Sequence, residues 1–169
     1  MIADSRTSVA FTGHRTYRGA AADALRRTVG ELYARGFRNF LSGMAVGFDL
    51  AAAEAVLELR ERAPGVRLVA AVPFRGRRCA SPPADRERFR RVLAEADSVE
   101  VLAPAYHRGC YAVRNDFLVY NARVLVAWYD GSPGGTRYTV RRALGRGLEV
   151  VNLCPAAPVP PAPEPTLFG

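Results

Sequence analysis

The sequence predicts an α/β fold, a Rossmann-like three-layer sandwich in which a mainly parallel sheet of about six strands carries helices on both faces. Two observations predict it. Short apolar segments rich in β-branched residues alternate with amphipathic segments of helical period along most of the chain. The strand segments are also almost continuously apolar, which is typical of parallel strands covered on both faces. We expect the crossovers between strands to be right-handed.

Each predicted strand is an apolar segment that ends just before a loop of small or polar residues. The six strands are expected at 7–12, 37–42, 66–74, 98–103, 123–130 and 148–154. Between them, apolar residues recur at three- and four-residue steps, which predicts amphipathic helices. The five helices are expected at 19–35, 47–62, 83–96, 110–122 and 135–146. Gly36 supplies a stop signal for the first of them.

One domain is predicted over residues 1–154, followed by a proline-rich flexible tail at 155–169. Half of the chain's 12 prolines fall in that tail, which excludes it from a sheet or a helix. No apolar run approaches the roughly 18 residues of a membrane span, and the N-terminal MIADSRTS has no signal-peptide pattern. Cys79, Cys110 and Cys154 form neither a disulfide framework nor a metal signature. We therefore expect a cytoplasmic protein with no metal site.

The net charge is +8, and all 24 basic residues are arginine. This charge is typical either of a solvated basic surface or of a surface that binds anions such as nucleic acid. The absence of lysine excludes a P-loop NTPase, whose phosphate loop requires one, and the sequence contains no GxGxxG fingerprint.

The residues that carry chemistry follow the predicted strands. In open parallel sheets, ligands bind beyond the carboxyl ends of the strands. Backbone N–H groups and helix N-termini suit phosphate there, and aromatic faces suit a base. The candidate residues for binding a nucleotide and its phosphate are Gly13, His14, Arg15, Ser42, Gly43, Met44, Gly47, Phe74, Tyr106, Tyr111, Arg114, Asn115, Gly131, Gly134, Gly135 and Thr136.

Two glycine-rich turns stand out among these loops. SGMAVG at 42–47 and SPGGT at 132–136 each lead directly into a predicted helix. Such turns either bring backbone amides close to an anion or allow close packing within the protein. Their occurrence on one edge of the sheet favours contact with a ligand.

Four charged residues near these turns are candidates for the site, and two of them, Asp49 and Glu54, have a second interpretation. Asp49 caps the helix that follows or contacts the ligand, and Glu54 is an exposed helix residue or a site residue. Both carboxylates are candidate catalytic groups. Arg15, just past a buried strand, has an anion as its natural partner. Arg114 opens a helix, where its charge opposes the dipole, so a compensating ligand is expected.

Five motifs, taken in order, resemble those of the YpsA-like branch of the SLOG superfamily, which is named for the Smf/DprA and LOG proteins. They are FTGHR at 11–15, SGMAVGFDLAAAEA at 42–55, VPF at 72–74, Tyr106 with GCYAVRNDFLV at 109–119, and YDGSPGGTRYTV at 129–140. The resemblance covers residues 7–154. It implies a Rossmann-like fold with a nucleotide-type ligand over the two glycine turns.

Besides nucleotide binding, the resemblance implies two functions. The SGMAVGFD motif is similar to an element of the DNA-binding DprA proteins. The RN and PGGT elements are similar to those of the LOG phosphoribohydrolases, which cleave the base from a nucleoside monophosphate. Those hydrolases carry a catalytic glutamate shortly after PGGxGT, whereas Thr136 is followed here by RYTV. Relatives often self-associate, so a homo-oligomer is expected.

The leading prediction is a sensor or regulatory protein that binds a nucleotide or nucleotide-derived ligand and requires no cofactor. The first alternative is an N-glycosidic hydrolase of nucleoside monophosphates that uses Asp49 or Glu54. The second is a single-stranded nucleic-acid binder that uses the net charge of +8.

Overall fold

A six-stranded sheet forms the centre of the fold in the computed structural model, which describes residues 4–77 and 82–155. Its strands are β1 (Ser8–Gly13), β2 (Asn39–Ser42), β3 (Arg67–Val72), β4 (Ser98–Val101), β5 (Val124–Trp128) and β6 (Glu149–Asn152). The strand order is β4-β3-β2-β1-β5-β6, and every neighbouring pair is parallel. All six strands therefore present their carboxyl ends at one edge.

Five α-helices alternate with the strands and cover both faces of the sheet. They are α1 (Ala22–Ala34), α2 (Phe48–Arg60), α3 (Pro83–Glu95), α4 (Cys110–Tyr120) and α5 (Gly135–Gly145). The apolar layer on one face includes side chains of α1, α2 and α3, and the layer on the other face includes those of α4 and α5. The result is a three-layer sandwich.

Alternating side chains of the central strands enter the two apolar layers. Val9 and Phe11 of β1 face α1–α3, whereas Ala10, between them in sequence, faces α4 and α5. Phe11 packs against Phe40 of β2 with ring centroids 6.2 Å apart. The strands are almost continuously apolar because both faces of the sheet are buried.

The direction of winding reverses between β1 and β5. Strands β1 to β4 extend the sheet one way through α1–α3, and the chain then returns over the other face through α4 to place β5 beside β1. The loops after β1 and β5 therefore diverge from each other, and they leave a crevice at the carboxyl edge. Ligands of doubly wound sheets bind at this topological switch point.

The predicted fold is confirmed: all six strands and five helices occur in the expected order, with bounds close to those expected. Within the described ranges, no helix is long and apolar enough to cross a membrane. Cys110 and Cys154 are free and buried. Cys79 and the tail after Pro155 lie outside the described residues, so the division into a domain and a flexible tail stays a prediction.

Candidate functional site at the switch point

A cavity of about 320 Å³ opens at the crevice between the carboxyl ends of β1 and β5. We call it the switch-point cavity. Segments that are far apart in sequence form its wall, because β1 ends there and α2, α4 and α5 begin there. It is lined by Thr12, Gly13, His14, Arg15, Ala45, Asp49, Tyr111, Arg114, Asn115, Gly135 and Thr136.

Three helices contribute residues of their N-terminal turns to this cavity: α2 with Asp49, α4 with Tyr111, and α5 with Gly135. No side chain caps any of the three helices. The first turns of α4 and α5 also carry no acidic residue. Since the first N–H groups of a helix have no partner within it, the cavity lies where the positive ends of three helices converge.

Asp49 is a buried carboxylate on the cavity wall, with an exposed fraction of 5%. Its Oδ1 has no hydrogen-bond partner within the described part of the chain. Burial raises the pKa of Asp49 to about 6, although the positive charge of Arg114 and the backbone amide of Ala45 act to lower it. Asp49 does not cap α2, which begins after Gly47 without a side-chain cap. The capping interpretation is therefore wrong: the carboxylate lies on the cavity wall, where it interacts with the backbone amides of Ala45 and Gly13 and not with those of α2.

Arg114 is the buried cation of the cavity. Its Nε donates to Asn115 Oδ1 at 2.9 Å, and its Nη1 donates to the carbonyl of Gly43. Burial lowers the pKa of Arg114, an effect that the nearby Asp49 opposes. A Cβ at position 43 would lie 3.0 Å from the Arg114 side chain, so glycine there provides the space in which the guanidinium lies.

Arg15 is exposed at the cavity mouth and forms no ion pair with a carboxylate of residues 4–77 or 82–155. His14, its neighbour, links the two loops of the switch point. The His14 Nε2 lies 2.8 Å from Asp130 Oδ1 and 3.1 Å from the Asp130 backbone nitrogen. The pKa of Asp130 is lowered, chiefly by the hydroxyl of Ser132. His14 is therefore held by the protein itself, and Arg15 is free for an anion.

An aromatic cluster adjoins the cavity at Tyr111. Phe74 packs edge-on against Tyr106 and Tyr111, with ring centroids 5.6 and 6.3 Å apart. Tyr106 has an exposed fraction of 66%. Phe74 and Tyr106 do not line the cavity, but through Tyr111 they extend its aromatic rim.

Two of the predicted ligand-contacting glycines pack against the protein's own chain. A Cβ at Gly13 would lie 2.4 Å from the side chain of Phe48. A Cβ at Gly47 would lie 2.7 Å from the carbonyl oxygens of His14 and Arg15. Close packing between the β1–α1 and β2–α2 loops accounts for both glycines.

The glycines before α5 meet open space. A Cβ at Gly134 would have no neighbour within 4 Å, and one at Gly135 would meet only Asn115 Nδ2 at 3.6 Å. Gly134, the N-cap, has φ +136° and ψ −163°, a conformation essentially restricted to glycine. The backbone of this turn is therefore accessible from the cavity side.

The remaining predicted site residues lie outside the cavity wall. The Ser42 hydroxyl donates to the carbonyl of Asp49 at 2.9 Å and accepts from the amide of Met44, which is itself buried. Gly131 lies in the exposed loop after β5. Glu54 faces α3, where it pairs with Arg88.

The sequence-based site omitted two residues that line the cavity, Thr12 and Ala45. Both adjoin predicted residues: Thr12 is the last strand residue before Gly13, and Ala45 lies inside the SGMAVG turn. Alternation along β1 indicates which face of the sheet a side chain joins but not whether it reaches the cavity, and small side chains carry no chemical signal of their own. Within the described ranges, no group of three or more His, Cys, Asp or Glu side chains is placed to hold a metal ion.

The fold resembles that of DNA processing protein A (DprA) in two solved structures. The Streptococcus pneumoniae protein superposes with a TM-score of 0.61 at 18% identity, over 86% of this chain and 49% of that one. The Helicobacter pylori protein, whose structure concerns its single-stranded DNA binding mode, superposes with a TM-score of 0.61 at 16% identity, over 86% and 64%. The chain thus spans about half to two thirds of the length of these proteins, and at such identity the likeness shows the fold alone.

Sequence comparison identifies the family. A UPF0398 protein of Bacillus thuringiensis (strain Al Hakam) is 27% identical over 132 residues, which cover 76% of this chain and 71% of the relative. The model of the YpsA family, described as the YspA SLOG family, matches residues 10–147, which include every residue that lines the switch-point cavity. The chain belongs to the YspA SLOG family.

Proposed function

We propose that the protein binds a nucleotide or nucleotide-derived ligand in the switch-point cavity and acts as a sensor or regulatory protein. The observation that carries this proposal is the buried Asp49, whose Oδ1 lacks a partner among the described residues, in a cavity that also holds Arg114 and three helix N-termini. A ligand that satisfies all of these groups carries both an anion and hydrogen-bond donors. A phosphorylated ribose has both.

The phosphate is assigned to the α5 side of the cavity. There the uncapped first turn of α5 offers the backbone amides of Gly135 and Thr136, and no side chain shields Gly134. Arg15 and Arg114 add two guanidinium groups, which bind phosphate through paired N–H donors.

The ribose is assigned to the α2 side, where its hydroxyls donate to Asp49. Strands β2 and β5 lie on either side of β1, and the helices that follow them lie on opposite faces of the sheet, so their first turns reach the cavity from different sides. This arrangement keeps the phosphate and the carboxylate of Asp49 apart. Tyr111, with Phe74 and Tyr106 behind it, then offers an aromatic face to the base.

Thermal shift and calorimetry with the four nucleoside 5′-monophosphates and diphosphates test this proposal. We expect at least one to stabilise the protein, by about 2.7 kcal/mol at a hundredfold excess over Kd. Asp49→Asn should lower the affinity of that nucleotide about tenfold and abolish any preference over its 2′- or 3′-deoxy form.

Glu54→Gln is the matched control, because it removes a carboxylate from the same helix outside the cavity. The affinity of this variant for a nucleoside monophosphate should equal that of the unmodified protein. Absence of binding by every nucleotide at millimolar concentration would refute the proposal.

The raised pKa of Asp49 favours a second candidate function, hydrolysis of the N-glycosidic bond of a nucleoside monophosphate. A carboxyl group with a pKa of about 6 is suited to exchange protons near neutral pH. In this reaction Asp49 would act on the attacking water or stabilise the positive charge that develops on the ribose. Release of free base that Asp49→Asn abolishes and Glu54→Gln preserves would establish it.

Single-stranded nucleic acid is the third candidate. The net charge of +8 and the likeness to DprA, one of whose structures concerns single-stranded DNA binding, both favour it. Such binding must weaken steeply as salt increases, because it releases counterions. Oligonucleotide affinity that is absent, or that does not change between 50 and 200 mM salt, would eliminate it.

A further inference from the structure

A second and larger cavity, of about 580 Å³, lies on the α1–α3 side of the switch-point cavity. We call it the α3-side groove. It runs between the β1–α1 loop, the start of α2 and the start of α3. It is lined by Arg15, Tyr17, Arg18, Gly19, Val46, Gly47, Ala51, Pro82, Asp85 and Arg88.

The two cavities adjoin each other at Arg15, which lines both. Ala45 of the switch-point cavity is followed in the chain by Val46 and Gly47 of the groove. At Gly47 the two loops that separate the cavities are in contact, since a Cβ there would lie 2.7 Å from the carbonyl oxygen of Arg15. The boundary is thus a low ridge of backbone with the Arg15 side chain exposed upon it.

The positive charge along this ridge is not neutralised by the protein. Among the described residues, neither Arg15 nor Arg18 forms an ion pair with a carboxylate. Arg18 instead donates to the carbonyls of Arg15 and Tyr17, both at 3.2 Å. Arg88, which lines the groove on α3, is paired with Glu54 and Asp85. The unpaired charge is therefore concentrated where the two cavities meet.

We propose that the ligand occupies both cavities. Its first phosphate lies at the first turn of α5 in the switch-point cavity, its second phosphate crosses the ridge at Arg15 toward Arg18, and a second sugar or nucleoside lies in the α3-side groove. This inference rests on the proposed function and defines its ligand as a nucleoside diphosphate extended beyond the second phosphate. The apolar surfaces of Val46, Ala51 and Pro82 are available to the second half. A mononucleotide fills only the smaller cavity of about 320 Å³.

Calorimetry with AMP, ADP and diadenosine diphosphate at 150 mM salt tests the inference. Diadenosine diphosphate should bind at least about tenfold more tightly than AMP. Its second phosphate adds charge-assisted contacts with arginine, and its second nucleoside occupies the α3-side groove. Arg18→Ala should remove most of that advantage while leaving AMP affinity within about twofold. Ala51→Glu places a carboxylate on the part of the groove wall that α2 forms. It should also remove most of the advantage of diadenosine diphosphate and leave AMP affinity unchanged, without altering the β1–α1 loop.

Arg62→Ala is the control, since Arg62 is exposed beyond the opposite end of α2. It removes one arginine from the chain without altering either cavity and should change none of these affinities. AMP binding with no gain for diadenosine diphosphate, or with a gain that both groove variants retain, would overturn the inference and leave the proposed function standing. Failure of all three compounds would count against the proposed function instead. Affinity that keeps rising from a dinucleotide to a ten-residue oligoadenylate would assign the groove to a nucleic-acid strand and overturn the diphosphate assignment.

Discussion

The two glycine-rich turns of this protein resemble each other in sequence and differ in what surrounds them. Both follow a buried strand and lead into a helix whose N-cap is a glycine, Gly47 for α2 and Gly134 for α5. A Cβ at Gly47 would collide with backbone carbonyls, whereas a Cβ at Gly134 would meet no described residue within 4 Å other than its chain neighbours. The first turn is therefore part of the packed interior, and the second is a free backbone surface. The same local pattern serves packing in one place and leaves amides accessible in the other.

Gly47→Ala should show the largest effect on stability. Its backbone, with φ +86° and ψ −123°, is accessible essentially to glycine alone, and the added Cβ would also clash with the carbonyls of His14 and Arg15. Strain and overpacking together should lower the free energy of unfolding by about 4 kcal/mol. Urea denaturation measures this loss.

Gly134→Ala is the matched control, because it introduces backbone strain at the other N-cap without a clash. It should cost about 2 kcal/mol. Equal losses for Gly47→Ala and Gly134→Ala would show that the two turns do not differ in packing.

Asp49, in the first turn of α2, makes the stability of the protein depend on pH. The first turn of α5 has no such carboxylate. The pKa of Asp49 rises from 3.8 to about 6 because burial penalises the charged form. Between these values the folded state binds more protons than the unfolded state, so stability must fall as the pH rises from about 4 to about 6 and stay low above that. At about 1.36 kcal/mol per pKa unit, the expected loss is about 3 kcal/mol.

Asp49→Asn isolates this contribution, since asparagine stays neutral at every pH. The variant should match the unmodified protein near pH 4 and exceed its stability by up to about 3 kcal/mol at pH 8. Urea denaturation at both pH values checks this. A stability difference that is the same at pH 4 and pH 8 would contradict the raised pKa.

Gly43→Ala should have a smaller effect on stability and a larger one on binding. The new Cβ would lie 3.0 Å from the Arg114 side chain, which must shift and weaken its hydrogen bond to the Gly43 carbonyl. We expect a loss of about 1 kcal/mol in stability and about tenfold in nucleotide affinity. Gly30→Ala, in open space within α1, should instead stabilise the protein by about 0.5 kcal/mol. Nucleotide affinity unchanged by Gly43→Ala would exclude Arg114 as a phosphate ligand.

The elements of the fold could be predicted from sequence because each strand and helix has a local signature in its apolar pattern. Whether a glycine serves packing or contact with a ligand could not be predicted, because this depends on residues that are distant in sequence. Gly43 contacts Arg114, 71 positions away, and Gly13 contacts Phe48. No pattern within the SGMAVG turn indicates which side chain will lie against it.

The sequence alone could have predicted that Asp49 and Glu54 lie in different surroundings. Five residues along an α-helix rotate a side chain by about 140°, so two carboxylates at that spacing face different surroundings. The structure places Asp49 at the switch-point cavity and pairs Glu54 with Arg88 of α3. Helical geometry therefore distinguishes the two candidate acids, although it does not show which of them faces the crevice.

Gly135→Ala should have the smallest effect on stability. Its Cβ would make an ordinary contact with Asn115 Nδ2 at 3.6 Å, and alanine is favourable within a helix, so the free energy of unfolding should change by less than about 0.5 kcal/mol. Nucleotide affinity should nevertheless fall several-fold, because the methyl group lies where the phosphate approaches the first turn of α5. Denaturation and calorimetry on the same preparation separate the two quantities. A variant that loses neither stability nor affinity would show that the α5 turn, although open, is not the part of the cavity that contacts the phosphate.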